Sequence, residues 1–202
     1  MQVHDTLLLS ILSGLIVAVI VWAITVVHAY WQLHRMNGYW LEAEVLADGS
    51  RCYSLGHLHF SFLTKQHRYD GFKYKSDGTQ EKKWNSLKIY LDAEHMKLMY
   101  IYELTNLSDK RSSHGFGQID IPSHKALVGR GDTNGFYVDG EVTTMEVHHV
   151  QLFRTPEVAK ERGLSPPEDN EKLRSLFIQR LVTENWSPNS PPIGGWPTSP
   201  AP

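Results

Sequence analysis

A single cysteine, Cys52, stands in a chain of 202 residues. That excludes an intramolecular disulfide framework, and with no Cys-x-x-Cys or Cys/His ladder a zinc ribbon goes too. The pattern fits a reducing compartment. No Lys or Arg precedes Arg35, and the formal net charge is only −2, so no global field draws the chain to nucleic acid. Gly-x-Ser-x-Gly, His-Glu-x-x-His and a phosphate loop are missing, which leaves no hydrolase or nucleotide-triphosphatase signal. Long helical patterns are missing from the middle of the chain, which argues against an α/β sheet.

What is present begins with an uncharged run, Leu7 to Val27. At the helical rise this run spans roughly 30 Å, the thickness of a bilayer's hydrocarbon core. It predicts one transmembrane helix over 7–31, after a short tail 1–6, with His28, Tyr30 and Trp31 at the headgroup level. A cleaved signal peptide is the alternative, since Val27-His28-Ala29 resembles a permissive site. The leader lacks Lys and Arg and the run exceeds a usual signal core, so an uncleaved anchor is favoured. Arg35 and Arg51 follow the helix, which places the body in the cytoplasm and the N-terminus outside. Ser10, Gly14 and Ala18 recur every four residues, a small-residue face that lets two helices approach, or a chance spacing.

From Gly38 to Arg154 the dominant period is two. "WLEAEV" alternates, "HLHFSFL" sets Leu58, Phe60 and Phe62 against His57, His59 and Ser61, and "SLKIYL" sets Leu87, Ile89 and Leu91 against Ser86, Lys88 and Tyr90. Asp48-Gly49, Asp70-Gly71, Asp77-Gly78, Asn134-Gly135 and Asp139-Gly140 supply turn signals, with Asp70-Gly71 read as a bulge or bend inside a strand. The pattern predicts about eight short strands, near 38–46, 52–63, 68–75, 82–91, 97–104, 115–121, 135–138 and 144–154. A mainly β fold follows: an antiparallel up-and-down barrel over 36–155, closed so that no edge is exposed, with a sandwich as the alternative.

Gly38-x-Trp40 opening the first strand and Leu152-Phe153-Arg154 closing the last resemble the pattern of lipocalin-like barrels. The resemblance implies that Trp40 plugs one end and that Arg154 stacks across it, so both are closure residues and not ligand residues. An anchor joined to such a barrel also resembles the membrane-anchored β-barrel effectors of bacterial antiphage systems that signal through cyclic nucleotides, CBASS and its relatives. Over residues 7–155 that resemblance implies a barrel that binds a cyclic oligonucleotide, a homo-oligomer in the inner membrane, and membrane disruption. Those effectors commonly carry two transmembrane helices, whereas this chain has apolar length for one.

A cyclic dinucleotide needs flat partners for bases and positive donors for phosphates. Arg68, Tyr69, Lys73, Tyr74, Trp84, Ser86, Tyr100 and Tyr102 offer both, against the plainer reading that aromatics simply pack strands. The eleven histidines include His57 and His59 on one strand face and the pair His148-His149, but no third ligand for a metal is fixed, and exposed titrating histidines are the simpler account. Asp120, Asp132 and Asp139 are read as turn residues bonding their own backbone. Arg130-Gly131-Asp132 is read as a coincidence in a loop.

After Pro156 the period changes. Residues 156–186 predict a helical appendage in which Pro167, Glu168 and Asp169 open a helix and Leu173, Leu176, Phe177 and Leu181 form its apolar stripe. Residues 187–202 predict a Pro-rich extended tail. The favoured expectation is a non-enzymatic membrane-anchored sensor, without a cofactor, whose partners are the cyclic oligonucleotide, the lipid bilayer and further copies of itself. The alternative is an anchored lipocalin-like carrier or scaffold for an apolar ligand or a partner protein.

Overall fold

A computed structural model describes residues 2–46, 49–92, 94–122, 133–141, 144–167 and 170–187, with backbone alone for 2–8, 140, 141 and 144–146. Asp48, the Arg130-Gly131-Asp132 string, Glu168, Asp169 and the tail from 188 lie outside the described residues. A helix, α1 (Gln2–Leu33), and one 3-10 turn (His34–Met36) lead into eight strands. These are β1 (Gly38–Val45), β2 (Arg51–Ser61), β3 (Gln66–Tyr74), β4 (Gln80–Asp92), β5 (Lys97–Asn106), β6 (Ser112–Asp120), β7 (Thr133–Glu141) and β8 (Thr144–Arg154). Two helices follow, α2 (Thr155–Glu161) and α3 (Glu171–Thr183). Each strand pairs antiparallel with the next and β8 returns to β1, so the sheet is a closed barrel and not a sandwich. Closure leaves neither β1 nor β8 as an open edge.

β1 is buried on both faces. Trp40, Glu42 and Glu44 point into the barrel, while Leu41 and Ala43 join Tyr53, Leu55 and Phe153 beneath Val158, Phe177, Ile178, Leu181 and Trp186. The C-terminal helices thus roof the outer wall of β1, β2 and β8. Asn170 caps α3, its side-chain oxygen accepting from the backbone N–H of Lys172 at 3.0 Å and of Leu173 at 3.3 Å. The apolar stripe differs from the expected one: Leu173 and Leu176 are exposed, and Phe177, Ile178 and Leu181 carry the contact. The helix is rotated because the chain beyond it turns back to bury Trp186 in the same cluster.

Several turn signals are spent inside strands. Asn134-Gly135 and Asp139-Gly140 lie within β7. A side chain at Gly135 would come within 2.7 Å of the Gln118 carbonyl oxygen, so this glycine permits close strand approach and makes no turn. Asp70-Gly71 lies inside β3 as expected, but the irregularities fall elsewhere, at Lys73/Tyr74 and Ser86/Lys88. The second bulge makes Leu87 the extra residue, which leaves it 54% exposed and passes the inward phase from Trp84 and Ser86 to Ile89 and Leu91.

The β3–β4 ladder runs only from Gly71↔Trp84 to Tyr74↔Gln80. Below it the strands part, and side chains bridge the gap. The Tyr69 N–H donates to Ser86 Oγ at 2.8 Å, and the Ser86 N–H donates to Asp70 Oδ1 at 2.8 Å. The freed half of the β2–β3 hairpin leaves the wall to follow α1, where Tyr30 meets Phe60 and Phe62 and the His67 Nε2–H donates to the Ala29 carbonyl at 3.0 Å.

Candidate functional site

The seam that closes the barrel brings Trp40 and Arg154 together. They are directly opposite in the β1–β8 register, and the guanidinium lies 5.1 Å from the indole centroid. Arg154 donates to the Asn37 carbonyl at 2.8 Å, and Trp40 Nε1 donates to the Met36 carbonyl at 2.8 Å. Gly38, at φ +119°, adopts a conformation that suits only glycine and sits beside the Arg154 tip. The strand's entry, the plug and the end of the last strand are therefore one unit, at the end of the barrel that meets α1. Above the plug Leu58, Leu98, Ile119 and Leu152 pack as a buried apolar layer, each 2% exposed or less.

The other half of the interior is polar. A cavity of about 30 Å³ is lined by Glu42, Ser54, Lys73, Trp84, Tyr100, Tyr102, Leu104, Tyr137 and Asp139. Water needs on the order of 10–15 Å³ on this measure, so the cavity has room for a water or two, with none for an apolar cargo. Aromatic rings occupy the rest. Tyr100 and Tyr102 lie across Gly117 and Gly115, and Trp84 lies across Gly71, where an added Cβ would approach the rings to 2.1, 2.3 and 2.2 Å respectively.

Charge in this half is unbalanced. Lys73 Nζ lies 3.6 Å from Glu44 Oε2 and donates to the Tyr137 hydroxyl at 3.4 Å. Tyr137 donates to Glu44 Oε2 at 3.1 Å, and His148 Nδ1 lies 2.6 Å from Glu44 Oε1. Tyr69 donates to Glu42, and Tyr102 donates to Asp139. Burial pushes the Glu42 carboxyl up to about 7, against the opposing pull of the Tyr69 hydrogen bond and Lys73. For Glu44 burial acts the same way, but the His148 hydrogen bond and Lys73 outweigh it and hold the group below its ordinary value. Glu44, Asp139 and a Glu42 that is half protonated at neutral pH thus face Lys73 and His148, an arrangement with no surplus of positive charge to hold a phosphate.

A second, larger concavity lies at the barrel mouth, at the end opposite α1. It has a volume of about 520 Å³ and lies between the β1–β2 and β3–β4 turns and α3. Arg51, Lys75, Tyr53, Tyr74, Ser50, Ser76 and Glu81 line it, with Ile178, Val182 and Asn185 from the helical side. Its size falls in the range of small-molecule sites, roughly 300–1,000 Å³. Arg51 donates to the Trp186 carbonyl at 3.0 Å and Tyr53 donates to the same oxygen at 2.6 Å, so the C-terminal segment holds these side chains in place.

The eight residues expected to bind a ligand are dispersed by this geometry. Lys73, Trp84, Tyr100 and Tyr102 line the small polar cavity, and Tyr74 lines the mouth cleft. Tyr69 and Ser86 are buried and spent on internal hydrogen bonds. Arg68 is exposed on the outer surface of the hairpin. Glu42, Glu44, Tyr137, Asp139 and His148 were not expected there. Parity was the available signal: counting by twos from Trp40 reaches Glu42 and Glu44, and counting back from Arg154 reaches His148. Of the other histidines, His57 stacks on Tyr39 at 4.2 Å and His59 lies 3.9 Å from Asp70. Among the described residues no group of three or more His, Cys, Asp or Glu is placed to hold a metal.

Ser10, Gly14 and Ala18 are exposed on α1. On the wall that the C-terminal helices leave open, Ile101, Phe116, Val138 and Val147 form one cross-strand row, paired in register across β5 to β8. Ile101, Phe116 and Val147 are 49%, 37% and 59% exposed. The molecule as a whole is a closed up-and-down barrel with a half-polar interior, carried on a helix long and apolar enough to cross a membrane. The chain matches no known protein family, no curated protein and no solved structure.

Proposed function

We propose that the protein is a membrane-anchored sensor, a binding protein and not a catalyst, whose barrel takes a cyclic oligonucleotide at its mouth and whose occupancy drives assembly in the inner membrane. The observation that carries this reading is the mouth cleft. It combines a ligand-sized volume with two cations, Arg51 and Lys75, against one carboxylate, Glu81, over a floor to which the buried Tyr53 and Tyr74 contribute. Phosphates are served by the cations. The carboxylates of the inner cavity direct such a ligand to the mouth and away from the interior. In this reading the barrel is cytoplasmic and the N-terminus outside, because the first basic residues follow the helix.

Assembly has two supports. The open row of Ile101, Phe116, Val138 and Val147 is an apolar patch of the kind that marks contact surfaces, and the small face of Ser10, Gly14 and Ala18 lets anchors approach. A ligand shifts the oligomer only if it binds that form better, so binding and association must rise together. Membrane disruption in antiviral defence is then the output of clustered anchors. The test is light scattering of the detergent-solubilised full chain against a panel of cyclic dinucleotides and trinucleotides. The expected result is a ligand-dependent increase in mass that Ile101→Glu abolishes while binding persists. An unchanged mass with every ligand overturns the assembly step.

A further inference from the structure

We infer that the β2–β3 hairpin is a second membrane contact, its tip entering the lipid at the boundary between headgroups and acyl chains. The inference rests on reading α1 as a membrane span. The tip is apolar and uncovered: Phe62 is 63% exposed and Leu63 is 95% exposed. Two adjacent large apolar side chains exposed at a hairpin tip form a patch of the kind that marks a contact surface.

The geometry supplies the occupant. The hairpin leaves the barrel wall where the β3–β4 ladder ends and runs back along α1, with Tyr30 stacked on Phe62 at 6.2 Å and edge-on to Phe60 at 5.7 Å. From the tip, Lys65 extends along the helix until its ammonium lies 5.3 Å from the centroid of the Trp22 ring. Trp22 lies five positions inside Val27, the end of the uncharged run, which is about 7 Å of helical rise. Phe62 stands at the level of Tyr30, just beyond the end of that run, where interfacial elements meet the headgroup boundary. Tyr30 and Trp31 on the helix then form an aromatic belt with Phe60 and Phe62. A partner protein would have to fit the same tip while sharing its level with lipid around α1. The continuity of the tip with the spanning helix favours the bilayer itself.

The consequence is orientational. With two points of contact the plugged end of the barrel is held against the membrane, and the mouth cleft faces the aqueous phase. Depth-resolved quenching tests this in vesicles of phosphatidylcholine and phosphatidylglycerol. The full chain carries Cys52→Ser and one added cysteine, Leu63→Cys, Val19→Cys or Leu87→Cys, each labelled with a polarity-sensitive fluorophore. Cys52→Ala replaces the background if near-UV circular dichroism shows that Cys52→Ser disturbs the fold. The expected result is a blue-shifted label at 63, quenched several-fold more by a nitroxide on the 5-position of the acyl chain than by aqueous iodide. The label at 87 should show the opposite order. A label at 63 that behaves like the one at 87, while that at 19 is quenched from the lipid, overturns the hairpin inference alone. If the label at 19 is also quenched only by iodide, the spanning reading of α1 fails and the hairpin inference falls with it.

Discussion

The two halves of the barrel interior are built on different physics. Near α1, Trp40, Leu58, Leu98, Ile119 and Leu152 are buried and carry no charge, with Arg154 lying outside them as a lid. Toward the mouth, Glu42, Glu44, Asp139, Lys73, Tyr137 and His148 are joined by hydrogen bonds around a cavity of about 30 Å³. One half is held by the removal of apolar surface from water, the other by mutual satisfaction of polar groups. The first is indifferent to pH and intolerant of lost volume; the second tolerates small changes of shape and responds to protons.

Trp40→Ala should have the largest effect. Truncating a fully buried tryptophan costs about 3–5 kcal/mol, and here it also removes the face on which Arg154 rests. Chemical denaturation in detergent should show loss of most of the barrel's stability. Retention of wild-type stability would mean that the plug holds nothing.

Glu42→Gln comes next, with the opposite sign. When folded, Glu42 keeps its proton up to about pH 7, against 4.5 for an ordinary carboxyl, so between those values the folded state binds more protons than the unfolded. Stability therefore falls as pH rises from 4.5 through 7, by ~3 kcal/mol in total for a shift of this size. The variant should be more stable than the wild type at pH 8 and equal to it at pH 4. Glu44 has the reverse slope, since its folded carboxyl lies below the ordinary value and its contribution is lost as pH falls through that range. Melting temperatures of the two single Gln variants across pH 4–8 should diverge in opposite directions.

Arg51→Ala in the mouth cleft should leave both halves of the interior intact and weaken anionic ligand binding by roughly 10- to 100-fold, the worth of a charge-assisted hydrogen bond. Isothermal calorimetry reads this directly. Leu87→Ser should do least. The residue is a bulge with an exposed side chain, and exposed substitutions usually stay within about 0.5 kcal/mol.

The fold was legible because strands with one dry face announce themselves by period two, and because the Trp40 and Arg154 parity ties the first strand to the last. What escaped was anything decided by a bulge or by a second layer. The extra residue Leu87 and the irregularity at Lys73/Tyr74 reverse which side chains face inward, and nothing in the local composition marks either. In β1 the apolar Leu41 and Ala43 alternate with Glu42 and Glu44, and the alternation alone does not say which side faces inward. The C-terminal helices cover Leu41 and Ala43, and the carboxylates go inside. The site was less legible than the fold. Aromatics and cations from Arg68 to Tyr102 share a stretch of sequence, but the barrel sends them to its cavity, its mouth, its wall and its outer surface.

The central claim is that an anionic, base-bearing ligand is read at the mouth and not in the acidic interior. The most direct measurement is calorimetric titration of the full chain in detergent with a cyclic oligonucleotide panel, in parallel with Arg51→Ala/Lys75→Ala and with Tyr100→Phe. Saturable binding of at least one ligand, lost in the double variant and unchanged in Tyr100→Phe, is the predicted result. Binding that survives the double variant, or no binding across the panel, would contradict it.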